Sequence, residues 1–309
     1  MKVSCVIVTY NRLSLLKECI AAVKCQTFQP YKIFIVNNHS TDETESFLTT
    51  FADDPQMCVI NLPENIGGAG GFSRGIKEGV MDGSDWVWIM DDDTIPHPDA
   101  LEKLVAATTL TDKVGYVCSK VLWQDGTPHL SNKASICIEK GNLSYNSYST
   151  KDIPAFLSTN ATFVSVLISA NAVKELGLPI SEFFIWLDDI EYTVRIATHG
   201  YDCFYVDNSH VLHKTSANYF SRPDMAPVET AWKFYYQARN ISYMKRQNKG
   251  KLAVLFSTLN MYRIYIHRAN KRKDHNKAIF KKYIRKGCWD SLTFQPSIEY
   301  LPGFEKCKK

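Results

Sequence analysis

Trp86-Val87-Trp88-Ile89-Met90-Asp91-Asp92-Asp93 is an apolar run that stops at three adjacent carboxylates. Its branched and aromatic residues, bounded by charge, read as a buried strand. Three similar runs precede it: Ser4–Val8, Lys32–Val36 and Met57–Asn61. Between them, Leu13–Phe28 carries apolar residues at helical spacing, and Ser40-Thr41-Asp42-Glu43 reads as a capping box. Asn65-Ile66-Gly67-Gly68-Ala69-Gly70-Gly71 reads as a glycine loop before a helix from about Phe72, and Pro98 with Asp99 opens another helix. This β-α-β-α-β-α-β order predicts an α/β fold, a mostly parallel sheet with helices on both faces.

Ligands of such sheets sit beyond the carboxyl ends of the strands. Thr9–Arg12, Asn37–Asn38, Asn65–Gly71 and Asp91–Asp93 all fall at such ends, so four distant polar segments are expected on one rim. Further along, Val114–Trp123 and Phe163–Ser169 read as strands, Asp188–Thr198 as a helix and Cys203–Val206 as a short strand. After about Thr230 the pattern is helical, aromatic and basic.

The chain has 309 residues, 45% hydrophobic and 22% charged, which excludes a disordered, collagenous or disulfide-scaffold protein. Nine cysteines without a CxxC predict reduced thiols rather than a disulfide frame or zinc site. No signal peptide and no run near ~20 apolar residues is read, so the expected location is cytoplasmic. Charge is uneven: residues 245–309 hold 17 Lys/Arg against 4 Asp/Glu, while 1–244 hold 19 against 28. A basic, aromatic tail suits an anionic membrane surface, and a solvated basic face on a packing helix is the competing reading. No nucleic-acid signature is present.

The acids suggest chemistry. Three carboxylates at a strand end repel one another, and a hard divalent cation with phosphate oxygens relieves that repulsion; a solvated acidic turn is the alternative. Asp91 and Asp93, as alternate residues, can point the same way. The glycine stretch before Arg74 offers backbone N–H groups to phosphate, yet is neither a Walker loop nor a GxGxxG. Phe183-Phe184-Ile185-Trp186-Leu187-Asp188-Asp189-Ile190-Glu191 brings aromatic faces beside carboxylates at a helix start. One of those carboxylates can serve as a general base; a helix cap and core aromatics are the bland reading. His213, after Val211-Leu212, is a candidate metal ligand, although a lone histidine is more often structural.

Together, Val6-Ile7-Val8-Thr9-Tyr10-Asn11-Arg12, Val36–Asp42, Asn65 with the glycines, Asp91–Asp93, Trp186–Glu191 and His213 resemble the family 2 inverting glycosyltransferases of the GT-A fold. The match is nearest the galactofuranosyltransferase and rhamnosyltransferase branch. The resemblance implies a catalytic region over 1–228, with nucleotide-sugar binding in 1–125 and acceptor binding in 126–228, and a helical, basic region over 229–309. It implies that Thr9, Arg12 and Asn38 hold the nucleoside, although the family often has Asp-Asp where this chain has Asn37-Asn38. Asn65, Gly67, Gly68 and Arg74 would lie near the diphosphate. Asp91, Asp93 and His213 would hold Mn²⁺ or Mg²⁺, with Asp92 facing the donor sugar. Asp189 would be the catalytic base, and Asp188 and Trp186 would contact the acceptor. The implied donor is UDP-galactofuranose, with dTDP-rhamnose as the rival. The implied acceptor is a glycan, lipid-linked, at the inner face of the membrane; a homo-oligomer is left open. A nucleotidyltransferase and a non-catalytic sugar-nucleotide-binding subunit are the other classes weighed. Tyr235-Tyr236 and Arg239-Asn240 resemble a segment recurring in this branch, without a role to attach to it.

Overall fold

The computed structural model describes residues 1–136, 139–140, 143–144, 148–246 and 251–304; for 139–140, 143–144 and 251–254 it describes the backbone alone. The first four strands are β1 (Val3–Thr9), β2 (Lys32–Asn37), β3 (Met57–Asn61) and β4 (Trp86–Asp91). They pair in parallel in the order β3-β2-β1-β4, as the crossover pattern requires. The rest of the sheet is mixed. It contains β5 (Thr94–Pro96), β6 (Val114–Trp123), β7 (Ser135–Ile136), β10 (Ala155–Asn160), β11 (Val166–Ser169) and β12 (Asp202–His213). Beyond β4 the order is β11-β6-β12-β10-β7, with β11 antiparallel to both neighbours and β12 parallel to β6. The short strands β8 (Glu139–Lys140) and β9 (Leu143–Ser144) form a separate hairpin.

Period-two alternation divides the core. Val6, Val8, Val87 and Ile89 face one side, under α3 (Gly67–Met81), α5 (Ala170–Leu176) and α6 (Asp188–Thr198). Cys5, Ile7, Trp88 and Met90 face the other, under α1 (Leu13–Lys24) and α4 (Ala100–Ala107). A short helix, α2 (Thr44–Leu48), lies after β2. No disulfide links Cys5, Cys19, Cys25, Cys58, Cys118, Cys203 or Cys288; Cys137 and Cys307 lie outside the described residues.

Several local expectations are corrected. The glycine segment is not a loop: the helix begins at Gly67, and glycines along one face let it lie on the sheet, where a Cβ on Gly75 would come within 2.3 Å of Val6. The capping box does not form. Asp42 accepts the Thr44 N–H at 3.1 Å, and Ser40 Oγ instead accepts the N–H of Asn11 at 3.0 Å, tying the β1 and β2 loops together. The first helix ends at Lys24, four residues early, and the strand expected from Phe163 starts at Val166. The strand expected at Cys203–Val206 runs on to His213 through a register shift between Val206 and His210.

Three C-terminal helices, α7 (Lys233–Arg246), α8 (Lys251–Asn270) and α9 (Lys277–Asp290), share a core of Phe234, Ala238, Met261, Tyr265, Phe280 and Ile284. A Cβ on Gly287 would sit 2.2 Å from the Tyr235 carbonyl, so α9 and α7 meet backbone to backbone.

Candidate active site

Strand ends build the rim. Thr9 pairs with Asn37, Asn37 with Asn61, and Val8 with Asp91, which puts the ends of β1–β4 at one level. After Asp91 the chain turns into β5, which pairs with β12 so that Thr94 lies opposite His213. Backbone register thus delivers His213 beside Asp93, and the Lys214 N–H donates to the Asp93 carbonyl at 2.9 Å.

Asp91, Asp93 and His213 each present one ligand atom, and the three atoms lie within 4.8 Å of one another. His213 Nε2 is 3.0 Å from Asp93 Oδ1, yet that buried oxygen has no aligned hydrogen-bond partner. On the far side of the ring, Nδ1 lies 3.1 Å from Asn132 Oδ1, which accepts its proton and leaves Nε2 to face the acids. An orphaned carboxylate oxygen, a second carboxylate and an oriented imidazole are a donor set that fits a divalent cation of the Mn²⁺ or Mg²⁺ kind.

Charge at the rim is partly balanced. Arg12 donates to Asp93 at 2.7 Å and to Asp92 at 3.3 Å, and Thr9 donates to Asp92 at 2.8 Å. Burial, with the charge of Asp93 beside it, pushes Asp91 up to about 7. Burial raises Asp92 to about 6 against the pull of Arg12. Burial disfavours the Asp93 charge, but His213 and Arg12 outweigh it and hold Asp93 well below the usual carboxylate range. Thr9, Arg12 and Asp92 therefore form one network, in which Arg12 reaches the acids through Nη1. Asn38 Oδ1 accepts the Ile66 N–H at 2.9 Å and braces the start of α3.

A cavity of about 380 Å³ joins this rim to the second acidic motif. Arg12, Asp91, Asp93 and His213 line one wall, and Trp186, Asp188 and Asp189 line another. Asp188 is buried and Asp189 half-buried at the first turn of α6. Burial raises Asp188 well above the ordinary value, with Asp189 adding to it, and raises Asp189 to about 6. Asp189 Oδ1 accepts the N–H of Ile190 at 2.7 Å.

The turn before these acids is strained. Phe184, Trp186 and Leu187 have φ of 64°, 65° and 72°, a region that costs a non-glycine residue about 1–3 kcal/mol each. The Ile185 N–H closes a three-residue turn onto the Phe183 carbonyl at 2.7 Å. Gly67 is needed here, because with φ of 75° its Cβ would lie 2.1 Å from the Phe184 carbonyl oxygen, and the Ala69 N–H donates to that oxygen at 3.1 Å. Gly68, by contrast, lines the cavity with open space in front of it.

Arg74 is not brought in. Its side chain is exposed, pairs with Glu78 one turn along at 2.8 Å, and lies outside the cavity lining. Asn65 caps the Gly67 N–H at 2.9 Å. Among the cavity residues that the sequence reading missed are His129, whose ring centre is 4.9 Å from that of His213, Asn132 and Lys233. Lys233 Nζ lies 5.6 Å over the Trp186 ring without an ion-pair partner among the described residues. Burial and the charge of Arg12 both lower its pKa. Only the cluster of aromatic and basic residues after Thr230 hinted at it.

Residues 4–176 match the family model described as Glycosyl transferase family 2, more than half of the chain. The chain belongs to that family. An uncharacterized glycosyltransferase, YwdF, of Bacillus subtilis is 37% identical over 116 residues, 37% of this chain and 41% of that one. Galactofuranosyltransferase GlfT1 of Mycolicibacterium smegmatis is 26% identical over 204 residues, 64% and 66% of the two chains. The alignments thus span about two fifths and two thirds of these relatives' lengths. Among solved structures, GalNAc-T7 with UDP, GalNAc and Mn²⁺ has a TM-score of 0.58 at 17% identity, covering 69% of this chain and 43% of that one. The mannosyltransferase PcManGT of Pyrobaculum calidifontis, with GDP-Man and Mn²⁺, has a TM-score of 0.54 at 15% identity, covering 94% and 86%. The chain therefore has the GT-A fold of these structures, with its C-terminal helices lying beyond the residues that the family model matches.

Proposed function

We propose that this glycosyltransferase is inverting and metal-dependent, and transfers galactofuranose from UDP-galactofuranose to a hydroxyl of a lipid-linked glycan. The observation that carries the chemistry is the single cavity with Asp91, Asp93 and His213 on one wall and Asp188 and Asp189 on another. Likeness to a named galactofuranosyltransferase supports the sugar, and the neighbours crystallised with sugar nucleotides or their parts and Mn²⁺ support the donor class.

In this reading Asp91, Asp93 and His213 hold Mn²⁺ or Mg²⁺, which when bound supplies positive charge to the departing diphosphate. Arg12 and Thr9 fix Asp92 toward the donor, and Asn38, Asn65, Gly67 and Gly68 shape the edge of the donor site. Arg74 is left out of the diphosphate site, since its guanidinium is turned to Glu78. Asp189 takes the proton of the acceptor hydroxyl, whose oxygen attacks the anomeric carbon opposite the diphosphate. The bond to the diphosphate breaks and the configuration inverts. Trp186 offers an apolar face to the acceptor, with Asp188 beside it. Residues 1–228 form the catalytic part, with donor binding in 1–125 and acceptor binding in 126–228, and residues 229–309 dock it. Incubation with UDP-galactofuranose and, in parallel, dTDP-rhamnose is the test. Transfer from the first supports the sugar, transfer from only the second replaces it, and transfer from neither with acceptor and Mn²⁺ present counts against the whole reading.

We also propose that the C-terminal helices rest peripherally on an anionic bilayer from the cytoplasmic side. No described helix is long and apolar enough to cross a membrane. Phe256 and Trp289 are nonetheless 70% and 75% exposed, and Leu255 and Leu259 are exposed beside Phe256. Lys277, Lys281 and Arg285 recur every four residues on α9 and share a shallow depression with Lys273. Apolar tips flanked by lysine and arginine suit phospholipid headgroups. Binding to phosphatidylcholine vesicles is expected to rise with added phosphatidylserine and fall in high salt. Phe256→Ser with Trp289→Ser is expected to weaken it about tenfold or more. Salt-insensitive binding that ignores both changes would rule this surface out.

A further inference from the structure

Asn240 is completely buried on α7, far in sequence from the acids, and its side chain bonds to the turn that precedes them. Its Nδ2 donates to the carbonyls of Phe183 and Trp186, both at 3.0 Å, and lies 3.5 Å from that of Ile185. Arg239 next to it donates through Nη2 to the carbonyls of Glu182 at 2.5 Å and Phe183 at 3.3 Å. Arg239 Nε also donates to Asn240 Oδ1 at 3.0 Å, which fixes which way the amide points. Phe294 lies under the guanidinium, 3.9 Å from its carbon to the ring centre. Five donor contacts therefore converge on four consecutive or near-consecutive carbonyls of a turn with three left-handed residues. From the other side α3 contributes the Ala69 N–H and the space left by Gly67.

These contacts have a direction. A turn in the left-handed region relaxes unless its carbonyls are held, because extended or right-handed backbone is available to Phe184, Trp186 and Leu187 at lower energy. Leu187 is the residue from which α6 starts, so any relaxation rotates the first turn that carries Asp188 and Asp189. Neither Arg239 nor Asn240 lines the cavity.

We propose that Arg239 and Asn240 are positioning residues that clamp the Glu182–Leu187 turn and so aim Asp189 into the cavity. The proposal rests on the reading of Asp189 as the base, and it extends the working machinery from the sheet domain into the C-terminal helices. The helices thereby do more than dock the enzyme: the acid pair is set by how α7 seats against the sheet domain's loop.

Amide hydrogen exchange needs no substrate and reads the clamp directly. In Asn240→Ala, exchange over residues 184–190 is expected to rise about tenfold or more, while β1 and β4 keep their protection. Arg239→Lys, which retains a cation without the forked donor, is expected to move the same peptide by less. With turnover measured on the full chain, kcat is expected to fall roughly 10- to 100-fold, by more than the donor KM changes. Unchanged exchange over 184–190 in both variants would overturn the clamp. Raised exchange there with kcat unaltered would overturn its role in aiming the base. A wild-type chain inactive with every donor would defeat the transferase mechanism instead, and the exchange comparison would still decide whether α7 holds the turn.

Discussion

Asp189→Asn is expected to lower kcat by at least about 10³-fold while leaving the donor KM within a factor of two or so. An alcohol is a poor nucleophile until its proton is taken, and Asp189 is the half-buried carboxylate at the cavity end of α6. Asparagine keeps the Oδ1 acceptor that receives the Ile190 N–H, so the local bond survives while the basicity is lost. The fold should not suffer. A carboxylate held above its unfolded pKa weakens the native state once the pH exceeds that unfolded value. The effect is complete above the raised value of about 6, and it vanishes in acid. Removing that charge makes the variant no less stable at neutral pH, so a thermal melt separates lost chemistry from lost structure. Turnover near the wild-type value in the variant would remove Asp189 from the role of base.

The same burial yields a pH profile. A base raised to about 6 is protonated below that pH, so the wild-type kcat is expected to lose about tenfold per unit on the acid side. Asp188 is the internal control. It is buried more completely, and burial with the charge of Asp189 raises it well above the usual carboxylate range. A carboxyl whose burial favours the protonated form is better suited to donate to an acceptor oxygen than to receive its proton. Asp188→Asn should therefore cost less in kcat than Asp189→Asn and leave the acid limb in place.

What the sequence revealed follows from the range of the forces involved. The strands β1–β4 and the helices between them were legible because alternation and spacing are local, and they imply the rim by topology alone. Asp91 and Asp93 stood out as adjacent charges at the end of such a strand. His213 did not: the strand expected to end at Val206 runs seven residues further, past a register shift that no local pattern announces. Its pairing with β5 is what brings the imidazole to Asp93, and periodicity carries no sign of that pairing. The glycines misled in an instructive way. Glycine is demanded both by phosphate approach and by close packing of backbone, and at Gly67 the demand comes from the Phe184 carbonyl. The left-handed turn at Phe184–Leu187 was illegible because bulky aromatic residues signal extended backbone; donors on α7, some fifty residues downstream, override that preference.

Divalent cation is expected to stabilise the transferase measurably, and the ligand substitutions should abolish that response. Without a cation, Asp91, Asp92 and Asp93 crowd one strand end, and the described compensation is Arg12, with His213 beside Asp93. Asp93 Oδ1 stays buried and without an aligned partner, a state that a bound ion relieves. At an ion concentration of about a hundred times its dissociation constant, mass action adds about 2.7 kcal/mol, which is roughly 4 °C in the melting midpoint of a chain this size. Mn²⁺ should exceed Mg²⁺, because one of the three donors is an imidazole, which the harder Mg²⁺ accepts poorly. His213→Ala is the more telling variant. It removes a ligand while leaving Arg12 on Asp93, so its stability without metal can be compared directly with the wild type, and its Mn²⁺ shift should shrink toward zero. Asp93→Asn should lose the shift as well, but it also releases Arg12 and His213 from their shared partner. Chelation of the wild type should cut transfer by at least about 10²-fold, with Mn²⁺ restoring it. If His213→Ala melts with the same Mn²⁺ shift as the wild type, the imidazole is not a ligand, and the cavity's two walls must divide the work of catalysis differently.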